Sequence, residues 1–208
     1  MQTLYIIGNS HTWTLLGWHE KNSSGRTIAS FDSKLGDIMR VVTSGFDVKA
    51  AILTETTAYN LMHDEKPPVK KIILNFLDKE IDDKKTILFL YGEVDCTLGR
   101  PGISMKNIMD NYEEFIKMID GRPDVERIVV SATIPHHDKF ESCYFNANQI
   151  ATNSAEWNDL ASKMCLANNW TYIDIATNFD GRTMGDNHMH PDNKAGMMLE
   201  LHRVLDSI

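Results

Sequence analysis

Short runs of uninterrupted apolar residues alternate along this chain with stripes spaced three and four residues apart. That switch of period marks strands alternating with helices in a mostly parallel sheet. The runs fall at residues 4–7, 48–53, 86–91, 127–132 and 170–175 and predict five strands. Between them, Val69, Ile72, Ile73, Phe76 and Leu77 mark a helix that starts after Pro67-Pro68. Met105, Ile108, Met109, Tyr112, Phe115, Ile116 and Ile119 mark a second, with Ser104 as its N-cap, Gly121 to end it at positive φ and Pro123 to forbid continuation. Trp157, Leu160, Ala161 and Met164 define a third, and Met198, Leu201, His202 and Leu205 a last. These methionine and aromatic stripes read as core. Segments 20–33, rich in Ser and Gly, and 136–148, polar with two adjacent histidines, read as loops. The expected architecture is an α/β, three-layer α/β/α sandwich with a parallel sheet of about five strands. In such a sheet the loops at the carboxyl ends of the strands border the ligand crevice.

The 208 residues suit one α/β domain, predicted to span 1–208, and the 42% hydrophobic fraction suffices for its core. Twenty-one basic residues against 29 acidic ones give a formal net charge of −8. The densest basic spots are only Lys70-Lys71 and Lys84-Lys85, so a phosphate backbone is repelled and nucleic acid is excluded as a partner. Cys96, Cys143 and Cys165 are odd in number and form no CxxC pair, which argues against a disulfide framework and a thiolate zinc site. Met1-Gln2-Thr3 lacks a basic leader, and no apolar run approaches the ~20 residues of a membrane span. The expectation is a cytoplasmic protein with no membrane partner.

Three segments hold residues able to do chemistry. Ser10 follows the first strand and is expected to open a short helix carrying Trp13 and Leu16 before Gly17 interrupts it. The backbone N–H groups and dipole there can hold an oxyanion, although a serine at that place also serves as a plain N-cap. Tyr91-Gly92-Glu93-Val94-Asp95-Cys96 ends the third strand; Gly92 permits a tight exit, and the two carboxylates either face the crevice or cap a helix. Asp186, Asn187, His188, His190 and Asp192 crowd a loop before the last helix, where an imidazole held by a neighbouring acid suits proton transfer near neutral pH.

Read together and in order, the three segments resemble the SGNH (GDSL-type) hydrolase family. Gly8-Asn9-Ser10 is similar to its Gly-Asp-Ser block, Gly92-Glu93-Val94-Asp95 to its Gly-x-Asn-Asp block, and His190-Pro191-Asp192-Asn193-Lys194-Ala195-Gly196 to its terminal His-Pro-Asn-x-x-x-Gly run. The stretch from Trp157-Asn158 to Tyr172-Ile173-Asp174 resembles the helix and strand before the family's catalytic loop. The resemblance implies a flavodoxin-like sandwich without metal or other cofactor, acting on acyl esters, frequently of carbohydrates, by hydrolysis or transfer. Ser10 would be the nucleophile, His190 its base and Asp186 the acid that orients the imidazole.

Three positions depart from that pattern. The acid three residues before the histidine is replaced by Asn187, so Asp186, one place earlier, takes the role or His188 shares it. The asparagine that donates to the oxyanion corresponds to Val94, which cannot donate. The glycine of the second block has no clear equivalent: Gly45 precedes the second strand, and the loop after it reads Thr54-Glu55-Thr56-Thr57, where a backbone amide near Thr56 could substitute. Glu93, Asp95 and His11 are expected to shape the pocket. Two rival readings use the same residues. One makes His11, Asp95, Asp186, His188 and His190 ligands of a divalent metal. The other, resting on Val94 and the displaced acid, is a carbohydrate-binding or assembly protein without efficient catalysis.

Overall fold

The structure is a computed structural model. It describes residues 2–9, 12, 26–30, 37–43, 46–53, 56–63, 68–79, 84–99, 102–133, 142 and 144–175. Among the described residues seven strands form one sheet in the order β2-β3-β4-β1-β5-β6-β7. They are β1 (Gln2–Gly8), β2 (Arg26–Ser30), β3 (Asp37–Thr43), β4 (Phe46–Ile52), β5 (Lys85–Leu90), β6 (Val125–Ser131) and β7 (Thr171–Ile173). The five expected strands are β4, β1, β5, β6 and β7, and every neighbouring pair among them is parallel. In chain order their arrangement is 2-1-3-4-5, that of a flavodoxin-like sheet.

Two strands were not anticipated. β2 falls inside segment 20–33, read as a loop, and β3 follows it; both are antiparallel additions on the β4 edge. The signal missed was the two-residue connection Ser44-Gly45 between the paired ends Thr43 and Phe46, a hairpin spacing. An antiparallel edge hairpin needs no helical crossover, so alternation of strand and helix does not reveal it.

Three helices of more than ten residues are described: α1 (Val69–Lys79), α3 (Met105–Asp120) and α4 (Ala147–Asn168); α2 (Glu93–Thr97) is one short turn. Most positions of these three expected stripes are buried, and Ile72 and Leu160 pack half-buried against the same core. Val69, Ile73, Phe76 and Leu77 of α1, seven residues of α3 and Trp157, Ala161 and Met164 of α4 join one core. Its other wall is the sheet face carrying Tyr5, Ile7, Ile87, Phe89, Ile128 and Val130. Phe89 meets both Tyr112 and Phe115 edge-on, at 6.2 and 6.3 Å between centroids. The opposite face, with Leu4, Ile6, Val48, Leu88 and Val129, is buried as well, which is why these strands read as unbroken apolar runs.

Helix ends follow capping chemistry, with two corrections. The Ser104 hydroxyl accepts from the Asn107 N–H (3.2 Å), as expected. Gly121 does not enter the left-handed region: its φ is −68°, and α3 closes with the Gly121 and Arg122 N–H groups donating to Lys117 and Ile119. The left-handed cap belongs to α4, at Asn169 with φ 58°. Segment 136–148, read as a loop, already contains the start of α4, capped by Asn146 accepting from the Gln149 N–H (3.0 Å). The last predicted helix and the one after Ser10 lie outside the described residues.

Candidate active site

The chain builds β4 on one side of β1 and β5 on the other, so the carboxyl ends of β1 and β5 form the switch point where α/β sheets place their ligands. There the strand ends are drawn together by backbone bonds. The Asn9 N–H donates to the Leu90 carbonyl (3.2 Å) and the Leu53 N–H to the Gly8 carbonyl (2.8 Å). Gly8 is required by this approach, because a Cβ there would stand 2.7 Å from the Leu90 carbonyl oxygen. Asn9 is buried, and its carbonyl accepts from the Thr12 N–H (3.0 Å).

The exit from β5 is equally constrained. Gly92 has φ 109°, and a Cβ on it would lie 2.4 Å from the indole of Trp157. Residues 93–97 of α2 are then all buried. Asp95, 1% exposed, accepts from its own backbone N–H in the first turn of α2, borders a cavity of about 300 Å³, and also reaches a distant turn. Its two oxygens accept from the Ala58 N–H at 3.1 and 2.9 Å, at the start of the 3₁₀ turn Tyr59–Leu61. Burial pushes its pKa up to about 7; the amides of Ala58 and Tyr59 oppose the rise, and nearby Glu93 adds to it.

The loop after β4 is thereby tied to the exit of β5. Thr56 donates its hydroxyl to the Leu53 carbonyl (2.7 Å) and approaches the Tyr91 hydroxyl (3.5 Å), whose pKa burial drives far above the usual range. The Thr57 hydroxyl donates to the Asn60 carboxamide oxygen and accepts from the Asn60 N–H.

Of the residues singled out in the sequence, Thr56, Gly92, Glu93 and Asp95 are brought to this one edge, with Glu93 and Asp95 both buried. Ser10, His11, Gly45, Asp186, Asn187, His188 and His190 lie outside the described residues. The residues flanking Gly45, Thr43 and Phe46, sit at the amino end of the sheet, since Phe46 pairs with Gln2 while Ile52 pairs with Gly8. Val94 is a buried apolar side chain. Among the described residues no three His, Cys, Asp or Glu side chains cluster as metal ligands, and no helix is long and apolar enough to cross a membrane. Of the described cysteines, Cys96 and Cys165 are buried thiols, whose pKa burial raises.

Sequence reasoning assigned no role to the polar residues of α4 that brace this edge. Asn153 donates to the Cys96 carbonyl (3.0 Å), while Asn158 accepts from the Thr133 N–H (2.8 Å) and donates to its carbonyl (3.2 Å). Each closes off the exit of one strand. The available signal was two asparagines within one turn of the core residue Trp157, where solvent alone would not explain them.

The fold and its switch-point edge thus define the chain as an α/β protein of the flavodoxin-like kind. No protein-family model matches it, and no curated protein does. Solved structures do. The M. smegmatis aryl esterase superposes with a TM-score of 0.66 at 13% identity, covering 100% of this chain and 99% of that one. A carbohydrate acetylesterase from Sinorhizobium meliloti gives 0.65 at 12%, covering 100% and 98%. Axe2, an acetylxylan esterase from Geobacillus stearothermophilus, gives 0.57 at 14%, covering 99% and 93%. What this chain shares with these esterases is the fold.

Proposed function

We propose that the protein is a serine ester hydrolase acting on acetyl or other short-chain acyl esters, including those of carbohydrates. One observation carries the reading. The carboxyl end of β1 is locked at the switch point by the Asn9–Leu90 and Leu53–Gly8 bonds, and the next residue in the chain is Ser10. Support comes from the aryl, acetylxylan and carbohydrate acetyl esterases that have this fold.

In this mechanism His190 takes the Ser10 proton as Oγ attacks the ester carbonyl, and Asp186 orients the imidazole and stabilises its charged form. Backbone N–H groups of Ser10 and of the loop after β4 hold the oxyanion. Gly45, whose neighbours sit at the other end of the sheet, is not assigned that role. A lost side-chain donor at Val94 weakens the hole by about 3 kcal/mol unless the loop amides replace it. Asp95 serves as the tie that holds this loop in place, while Glu93, His11, Asn187 and His188 complete the pocket. Collapse of the oxyanion breaks the ester C–O bond, and the alcohol leaves with the proton that His190 returns; water, or a sugar hydroxyl in its place, deprotonated by His190, then takes the acyl group and Ser10 recovers its proton.

Replacing the nucleophile tests this. Ser10→Ala is expected to lower turnover of p-nitrophenyl acetate by about a thousandfold or more while leaving the thermal melt in place. Parental activity in the variant would overturn the assignment. A fluorophosphonate probe separates the enzyme from a non-catalytic carbohydrate-binding protein, since only the former is labelled at Ser10.

A further inference from the structure

On the same sheet edge, the segment after β4 faces the first two turns of α3 across an open groove of about 370 Å³. The groove is walled by Tyr59 and His63 on one side, Asn107, Asp110 and Asn111 on the other, and Ile103 between them. We infer that this groove is a neutral-saccharide subsite, holding the sugar beside the one whose ester is cleaved; its link to catalysis rests on the esterase reading, its binding of sugar does not.

The argument is from complementarity. A pyranose presents a face of C–H groups and a rim of hydroxyls, each both donor and acceptor. Tyr59 and His63 both border the groove, and their stacking on each other, with centroids 4.0 Å apart and planes 21° from parallel, fixes the rings so that the aromatic surface not covered by the partner ring is held ready for that face. The platform is set before any ligand arrives: the Ala58 N–H is held by the buried Asp95, and Thr57 and Asn60 bond each other within the turn. Little ordering entropy then remains to be lost on binding. Across the groove, Asn111 commits its amide nitrogen to the Asn107 carbonyl (2.8 Å), which leaves its oxygen to accept from a hydroxyl. The Asp110 oxygens are steadied by Lys106 at 2.8 and 2.7 Å and retain acceptor capacity.

Among the described lining residues there is no Lys or Arg, and Lys106, the cation that bonds the lining residue Asp110, is already engaged by both its oxygens, which favours a neutral ligand over a phosphate or carboxylate. Its volume lies within the roughly 300–1,000 Å³ usual for small-ligand sites, and its open form suits a chain running past the edge.

The test compares acetylated xylotetraose with p-nitrophenyl acetate, and titrates unesterified xylotetraose calorimetrically, for the parent, Tyr59→Ala and Asn111→Ala. Each variant is expected to raise KM for the saccharide ester about tenfold more than KM for the aryl ester, and to weaken xylotetraose binding by a similar factor. Equal changes for both esters, undiminished xylotetraose binding in both variants, or no binding by the parent would overturn the subsite. Failure of the parent to cleave either ester would count against the esterase reading, and the calorimetric titration then decides the groove alone. Asn111→Ala, at a half-buried surface position of α3, guards against a misfolded Tyr59 variant.

Discussion

At Gly92 a single hydrogen atom decides whether β5 can leave the sheet. Its φ of 109° suits glycine, and the indole of Trp157 occupies the space that any side chain would need. Gly92→Ala therefore combines backbone strain with displacement of a fully buried tryptophan, and is expected to cost about 2–4 kcal/mol in urea unfolding. A shift below about 0.5 kcal/mol would show that Trp157 moves freely. The need for glycine here was legible from its place after an apolar run, but its partner was not, because Trp157 is distant in the chain. Asp95 makes the same point. Sequence left it between a crevice carboxylate and a helix cap; it does accept from its own helix amide, but what the sequence could not show is its tie to a turn 37 residues away.

The elements were legible where their burial is periodic. Five strands and the stripes of α1, α3 and α4 stood out because each buries a whole face or stripe, whereas the β2–β3 hairpin escaped a reading tuned to strand–helix alternation. Element ends depend on partners that the local pattern lacks, as Gly121 shows. The amino end of the sheet illustrates how such partners are tied. Lys85, at the start of β5 and 1% exposed, bonds Asp124 at 2.7 Å. Arg122 grips both oxygens of Asp124 (3.0 Å each) and reaches Asp78 in α1 at 2.9 Å. Asp124→Ala takes the carboxylate from a buried ammonium and is expected to cost about 3 kcal/mol. Asp78→Ala, removing a partner 60% exposed, should cost well under about 1 kcal/mol. Urea midpoints of the two variants check the contrast, and equal losses would refute it.

For the molecule as a whole, Asp95 and Asp124 give stability a pH dependence of opposite sign. Asp95 has a folded pKa near 7 against an ordinary 3.8, so between these values the folded chain binds more protons than the unfolded one. Its contribution to stability falls as pH rises from about 4 to about 7. Asp124, held well below the usual carboxylate range by its bonds to Arg122 and Lys85, contributes stability that is present above about pH 4 and lost as pH falls through its folded pKa. Asp95→Asn is expected to remove the decline between pH 5 and about 7.5 and to leave the acid limb in place, as thermal melts across that range would show. An unchanged slope would mean that Asp95 titrates elsewhere. Periodicity and composition by themselves determined the layered α/β architecture and the parallel core of its sheet, because burial acts on each segment locally. Only the tertiary structure decided that Asp95 ties down the Tyr59 turn, that Trp157 enforces Gly92, and that Tyr59 faces Asn111 across a groove. Those outcomes depend on which distant segments the strand order brings within a few ångströms, and no local pattern carries that information.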